Sequence, residues 1–203
     1  MPEQEAALIL KTEPSGESFL KLHALTEANG IFLCLKRISK KSSGAAPDLF
    51  DHAPLLLEHS KQGTMRFVKE YQILHRRSEI GQSYRSLRCA SRLSQLLVSN
   101  AAHMPESERL FELTARALDA LAGGKAPEVV LLKSIYILLK EEGLPVRESW
   151  WPSLRADLAR SAQHILREPA PAEQSPEDRR LCERIEQNLT LWMRHNSDWI
   201  IPN

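Results

Sequence analysis

Cysteine is scarce in this chain of 203 residues: Cys34, Cys89 and Cys182 are odd in number and far apart. That spacing speaks against a disulfide framework, and without a C-x-x-C pair it speaks against a zinc knuckle as well. Cys34 falls in a strand pattern and the other two in helical ones, so all three read as small core residues. Long apolar runs are also missing. Val129-Leu132 is typical of the longest, far short of the roughly 20 residues of a membrane span. The opening MPEQEAALIL is acidic before it is apolar, the reverse of a secretory signal, and the expected location is the cytoplasm. Charge of one sign is lacking too, with 27 Lys and Arg against 26 Asp and Glu. A surface basic all over is thereby excluded, and any polyanion site has to be a local patch.

Catalytic signatures are equally absent. There is no G-x-x-x-x-G-K-[ST] loop to cradle phosphates, no G-x-S-x-G elbow and no H-E-x-x-H helix. The seven histidines are scattered, and no two fall at metal-ligand spacing on a helix. Glu141-Glu142 and Glu177-Asp178 sit at expected helix ends, where solvated charge is ordinary. The expectation is a non-enzymatic protein with no catalytic residue, no cofactor, no metal and no small-molecule substrate.

What is present changes period near residue 80. Ala6-Lys11, Ser18-Leu25, Ile31-Ile38, Pro54-Glu58 and Met65-Leu74 are five apolar or alternating runs, and Ser60-Gly63 is short enough for a hairpin turn. Five short strands without intervening helices predict a small barrel. Beyond them, apolar residues recur at three and four. One helix carries Tyr84, Leu87, Leu93 and Leu97. A second opens at Pro105-Glu106 and stops at Gly123-Gly124, and a third runs from Pro127 to Gly143. Leu154-Leu166 reads as a fourth, and a last begins at Pro176 and runs to about Arg194. Pro169, Pro171 and Pro176 make about 167–177 an exposed connection. The predicted class is α+β: a five-stranded OB-type barrel over residues 1–79, then an all-α interaction domain over 80–203.

The densest positive charge is Lys36-Arg37-Ile38-Ser39-Lys40-Lys41, at a strand end opening a Ser/Gly-rich loop. Four cations in six residues can reach adjacent phosphates and gain free energy by counterion release. A solvated loop guarding a sheet edge is the other reading. Lys11, Lys21, Arg66, Lys69, Arg76 and Arg77 could extend the surface. Phe19, Phe32, Phe50, Phe67 and Tyr71 are candidate stacking rings, although their place in apolar strands assigns most of them to the barrel core.

The order of motifs resembles a known family. AALILK (Ala6-Lys11), GES (Gly16-Ser18), LHALTEANG (Leu22-Gly30), IFLCLKRISKKS (Ile31-Ser42) and APLLLE (Ala53-Glu58) follow one another as in RecO proteins, bacterial recombination mediators. A helix closing on Gly143-Leu144-Pro145 continues the likeness, which covers most of residues 6–145. Where many relatives carry a four-cysteine zinc ribbon, this chain reads VRESWWPSL (Val146-Leu154), without a cysteine. Trp150-Trp151 would then supply burial that metal supplies elsewhere, or a partner-binding patch.

The resemblance implies a cytoplasmic protein of recombinational repair after DNA damage. Such a protein binds single- and double-stranded DNA, anneals complementary strands, and bridges single-strand-binding protein and RecR. On this reading Lys11, Lys36, Arg37, Lys40, Lys41, Arg66, Lys69, Arg76 and Arg77 contact DNA. Arg85, Arg88, Arg92, Arg116 or Lys133 would rim a cleft for the acidic, apolar tail of single-strand-binding protein. The rival expectation is a RecO-like interaction adaptor without DNA binding, favoured by the low net charge and few spare aromatics.

Overall fold

Alternation gives each strand of the first third an apolar side, and closing the sheet gives those sides one interior. The computed structural model describes residues 3–38, 47–104 and 107–202. Its strands are β1 (Glu3–Ser15), β2 (Phe19–Thr26), β3 (Gly30–Arg37), β4 (His52–His59) and β5 (Arg66–Tyr71). Round the barrel they run β1-β2-β3-β5-β4, and β4 closes onto β1. All pairings are antiparallel except the parallel β3–β5. This is the OB-type barrel the sequence predicted, and helices follow it as expected.

β1 is longer than Ala6-Lys11 because it serves two neighbours. Residues 3–8 pair with β4 and residues 7–15 with β2, and a register shift between Ile9 and Lys11 bends the strand from one to the other. Ala7, Ile9, Leu22, Ala24, Cys34, Ala53, Leu55, Leu57 and Val68 fill the interior, and Leu20, Phe32 and Tyr71 pack against them. Alanines beside leucines suit the narrow bore of a five-stranded barrel.

A second register shift corrects the expected faces of β5. Strict alternation predicted that Phe67, Lys69 and Tyr71 share a face. Leu56 instead pairs with Glu70 and Leu57 with Val68, so Lys69 is skipped. The bulge leaves Phe67 on the side opposite Val68 and returns Tyr71 to the core side.

The turn before β4 is locked by charge. Phe50 holds a left-handed φ of 66°, costly for a residue with a Cβ, and is buried. Two strong sets of bonds hold it there. Asp51, fully buried, accepts from Arg76 at 2.9 and 2.7 Å, from the Tyr71 hydroxyl at 2.6 Å and from the Asp48 N–H at 3.0 Å. Arg77 donates to the Phe50 carbonyl at 2.8 Å. Burial, then the bond to Asp51, pushes the Tyr71 hydroxyl well above its ordinary pKa, and the bond to Asp51 raises that of Arg76.

Seven α-helices follow among the described residues: α1 (Ser78–Gln82), α2 (Tyr84–Ser99), α3 (Ser107–Ala122), α4 (Pro127–Glu141), α5 (Trp151–Ser153), α6 (Ala156–Arg167) and α7 (Pro176–Asn196). A π-turn over Val146–Trp150 leads into α5. The predicted opening at Pro105-Glu106 lies outside the described residues. Gly124 and Gly143, both at positive φ, close α3 and α4, where Lys125 and Leu144 donate back to Ala120 and Leu139. Ser175 caps α7 by accepting from the Asp178 N–H, with Pro176 in the first turn. No described helix is long and apolar enough to cross a membrane.

The chain forms two units: Met1–Arg77 with Asn100–Ala115, and Ser78–Ser99 with Arg116–Asn203. The division expected at 79/80 thus lies at 77/78, and Asn100–Ala115, expected among the helices, groups with the barrel. Ser107 donates to the Glu27 carbonyl at 2.6 Å, and the Phe111 ring meets His52 edge-on at 5.7 Å. Helical periodicity alone does not say which core a segment joins. In the second unit, α4 is buried on nearly every side, through Val129, Val130, Leu131, Leu132, Ile135, Leu138 and Leu139. The expected exposed connection is tied down: Ala126 donates to the Pro171 carbonyl, and Lys133 donates to those of Leu166 and Glu168.

Candidate nucleic-acid interface

With Leu20, Leu22 and Ala24 inside, alternation along β2 turns Phe19, Lys21 and His23 outward. Register places Lys11 beside His23, Glu13 beside Lys21, Leu33 beside His23, Leu35 beside Lys21, and Arg37 beside Phe19. Leu35 also pairs with Phe67, whose ring lies 6.1 Å from that of Phe19. The result is a half-exposed apolar strip of Phe19, Leu33, Leu35 and Phe67 across the outside of β2, β3 and β5, flanked by cations. It lies between the β1–β2 turn at residues 16–18 and the β4–β5 turn at 60–65. OB-type barrels use this face and these two turns to hold oligonucleotides.

Glu13 sets the electrostatics of the strip's β1 side. Its carboxylate lies 2.8 Å from the Lys11 ammonium, 3.5 Å from Lys21 and 3.8 Å from His23. The hydrogen bond from Lys11, with both lysine charges, holds the Glu13 pKa below its ordinary value. Burial, then the same two lysines, lowers that of His23, so the ring favours its neutral form. Two lysines against one carboxylate leave this side positive at neutral pH.

The nine cations singled out in the sequence divide sharply. Lys11 and the exposed Arg37 lie on the strip together with Lys21. Lys69 lies beyond Phe67 and pairs with Glu58. Arg66 stacks over the Phe32 ring, its guanidinium carbon 4.3 Å from the centroid. Lys36 donates to the Val68 and Lys69 carbonyls at 3.4 and 2.9 Å, clamping β3 to β5, and burial lowers its pKa. Arg76 and Arg77 hold the Asp48–Asp51 turn, with Arg77 only 3% exposed. Lys40 and Lys41 lie outside the described residues. Of the rings placed in the core by sequence, Phe19 and Phe67 lie outside it. Counting outward from Leu22 would have found Phe19, whereas the bulge at Lys69 hid Phe67.

Three of the five cations picked as a partner rim form an ion network. Arg85, Arg88 and Arg92 repeat along one face of α2. Arg85 grips Glu128 with a two-pronged fork, its Nε at 3.0 Å; Arg88 reaches Glu128 at 3.3 Å and Glu183 at 3.0 Å; Arg92 reaches Glu186 at 2.8 Å. Arg116 is exposed on α3, and Lys133 ties α4 to the 166–168 carbonyls.

Glu128 is nearly buried. Burial alone would raise its pKa, but the Arg85 fork, its own N–H and both arginine charges together bring it below the ordinary value. A depressed carboxylate contributes stability that is present above the unfolded pKa and disappears as pH falls through the folded one. Glu128→Gln is therefore expected to lower stability by about 1–2 kcal/mol at pH 7, because the arginines remain partly hydrated. In urea titrations the gap to the unsubstituted protein should narrow and close as the pH falls below the ordinary carboxylate range and through the depressed folded pKa. A gap independent of pH would assign the loss to packing instead.

Compared with known protein families and with curated proteins, the chain matches none.

Proposed function

We propose that this chain is a DNA-binding recombination mediator of the RecO kind, with the outer face of its barrel as the track for a single strand. The observation that carries the reading is the pair of outward rings, Phe19 and Phe67, set among Lys11, Lys21 and Arg37 on the face that OB-type barrels use. Bases stack on such rings whatever their sequence, while the cations meet phosphates. The motif order from Ala6 to Pro145 supports the family reading. It extends the proposal to annealing, repair in the cytoplasm, and contacts with RecR and with the tail of single-strand-binding protein through the helical unit.

One observation favours the adaptor reading. Lys36, Arg66, Arg76 and Arg77 serve the barrel itself, which leaves fewer cations for phosphates than the sequence promised. Binding of a homopolymeric single strand, titrated at several salt concentrations, separates the two readings. The mediator should bind, with a log–log salt slope of about -0.7 per phosphate contacted. Reversing Lys40 and Lys41 to Glu should weaken binding to every sequence alike and flatten that slope by about 1.4. A protein that binds no strand at low salt is the adaptor.

A further inference from the structure

Three other arginines of the helical unit lie beside aromatic rings. A groove of about 550 Å³ is lined by Tyr136 of α4, Arg147 of the π-turn, Trp151 of α5, and Arg160, Gln163 and Arg167 of α6. None of the residues lining it is acidic. Arg147, Arg160 and Arg167 are exposed and form no ion pair among the described residues; Arg160 donates only to the Ala156 carbonyl one turn back. This contrasts with α2, where every arginine of the row meets a glutamate.

The two adjacent tryptophans part company here. Trp150 is buried, and its indole N–H is satisfied by Asn188 at 2.9 Å. Trp151 is half-exposed and donates to the Tyr136 hydroxyl at 3.0 Å, with the rings edge-on at 6.1 Å. That bond fixes the indole and uses its only donor, so what it offers the groove is π surface.

We infer that this groove is a second site for single-stranded nucleic acid, in which a base stacks on Trp151 and the flanking phosphates meet Arg147, Arg160 and Arg167. The charge spacing favours a polyanion. Arg160 and Arg167 are two turns apart on α6, about 10 Å along the axis, which suits a repeating backbone better than one terminal carboxylate. Arg160 also borders a neighbouring pocket that carries Glu168, Glu173 and Asp178, but the groove itself is lined by rings and forked cations, the general equipment of sequence-tolerant strand binding. Binding at the groove is independent of the barrel proposal. Its use does rest on that proposal: annealing needs two strands held by one protein, and the barrel face and this groove would each take one.

The test uses the full chain and an oligo-dT carrying 5-iodouracil, cross-linked by ultraviolet light and mapped by mass spectrometry. Adducts on Trp151 or Tyr136 are expected, and they should persist in Phe19→Ala/Phe67→Ala protein. Arg160→Glu/Arg167→Glu, on an exposed helix face that folding does not need, should remove them. It should also lower groove affinity roughly tenfold and flatten the salt slope by about 1.4. Adducts confined to the barrel, or an unchanged affinity and slope in the double variant, would overturn the inference while leaving the barrel reading intact. So would an acidic peptide with an apolar end that occupies the groove and shuts the oligonucleotide out, because the site would then belong to a protein partner. Groove adducts without barrel adducts would retain this site and sink the barrel proposal.

Discussion

Asp51→Ala is expected to destabilise the barrel by about 3 kcal/mol, the largest loss from any single polar substitution in it. Removing one member of a buried ion pair leaves its partners without compensation, at about 3–5 kcal/mol. The partners stranded here are the Arg76 guanidinium, the Tyr71 hydroxyl and the Asp48 N–H. The lower end of the range applies because the Arg76 side chain is 37% exposed and recovers some hydration. The same substitution releases the turn that holds Phe50 in its left-handed conformation, so the damage spreads to the start of β4. Tyr71→Phe removes one hydroxyl from the cluster and should cost only about 1 kcal/mol. Urea midpoints should rank the two in that order with unchanged slopes. An Asp51→Ala protein within about 1 kcal/mol of the parent would mean that the cluster orders a surface loop and does not lock the barrel.

This lock was invisible in the sequence for a plain reason. Asp51 lies 20 residues from Tyr71 and 25 from Arg76, and only the β4–β5 pairing brings them together. Arg76 and Arg77 therefore read as surface cations at the end of the barrel, when both point at the turn before β4. The glutamates of the α2 network were hidden in the same way. Glu128 sits in the most apolar helix of the chain and Glu186 on another, and neither announces an arginine partner.

The barrel itself was legible because alternation is local. Leu22 and Ala24 with Cys34, and Leu55 with Leu57, identify their own inward sides. Helix ends were legible for the same reason, since Gly124, Gly143 and Ser175-Pro176 act on the turn in which they stand. What alternation could not supply was the break in it. The skipped Lys69 reverses the faces of β5 midway, and with them the assignment of Phe67. The aromatic supply for stacking therefore looked thinner in the sequence than it is on the folded barrel.

Phe19→Ala and Phe67→Ala put that supply to the test and should have the largest effect on binding. Each removes one ring from the strip, and stacking is worth about 1–3 kcal/mol per base, which is roughly fivefold to more than a hundredfold in affinity. Folding should survive, because both rings are outside the barrel core and only half-buried. The two contributions are not expected to add fully, since the rings are neighbours with centroids 6.1 Å apart. The distinguishing signature is in the salt dependence. Stacking releases no counterions, so the alanine variants should bind more weakly at every salt concentration with the log–log slope unchanged. Lys21→Glu, on the same face, should do the opposite and flatten the slope by about 0.7 for the phosphate it loses. Affinity unaltered by both phenylalanine substitutions would make the strip a mere apolar surface, and the barrel would no longer be the reason to expect a DNA-binding protein.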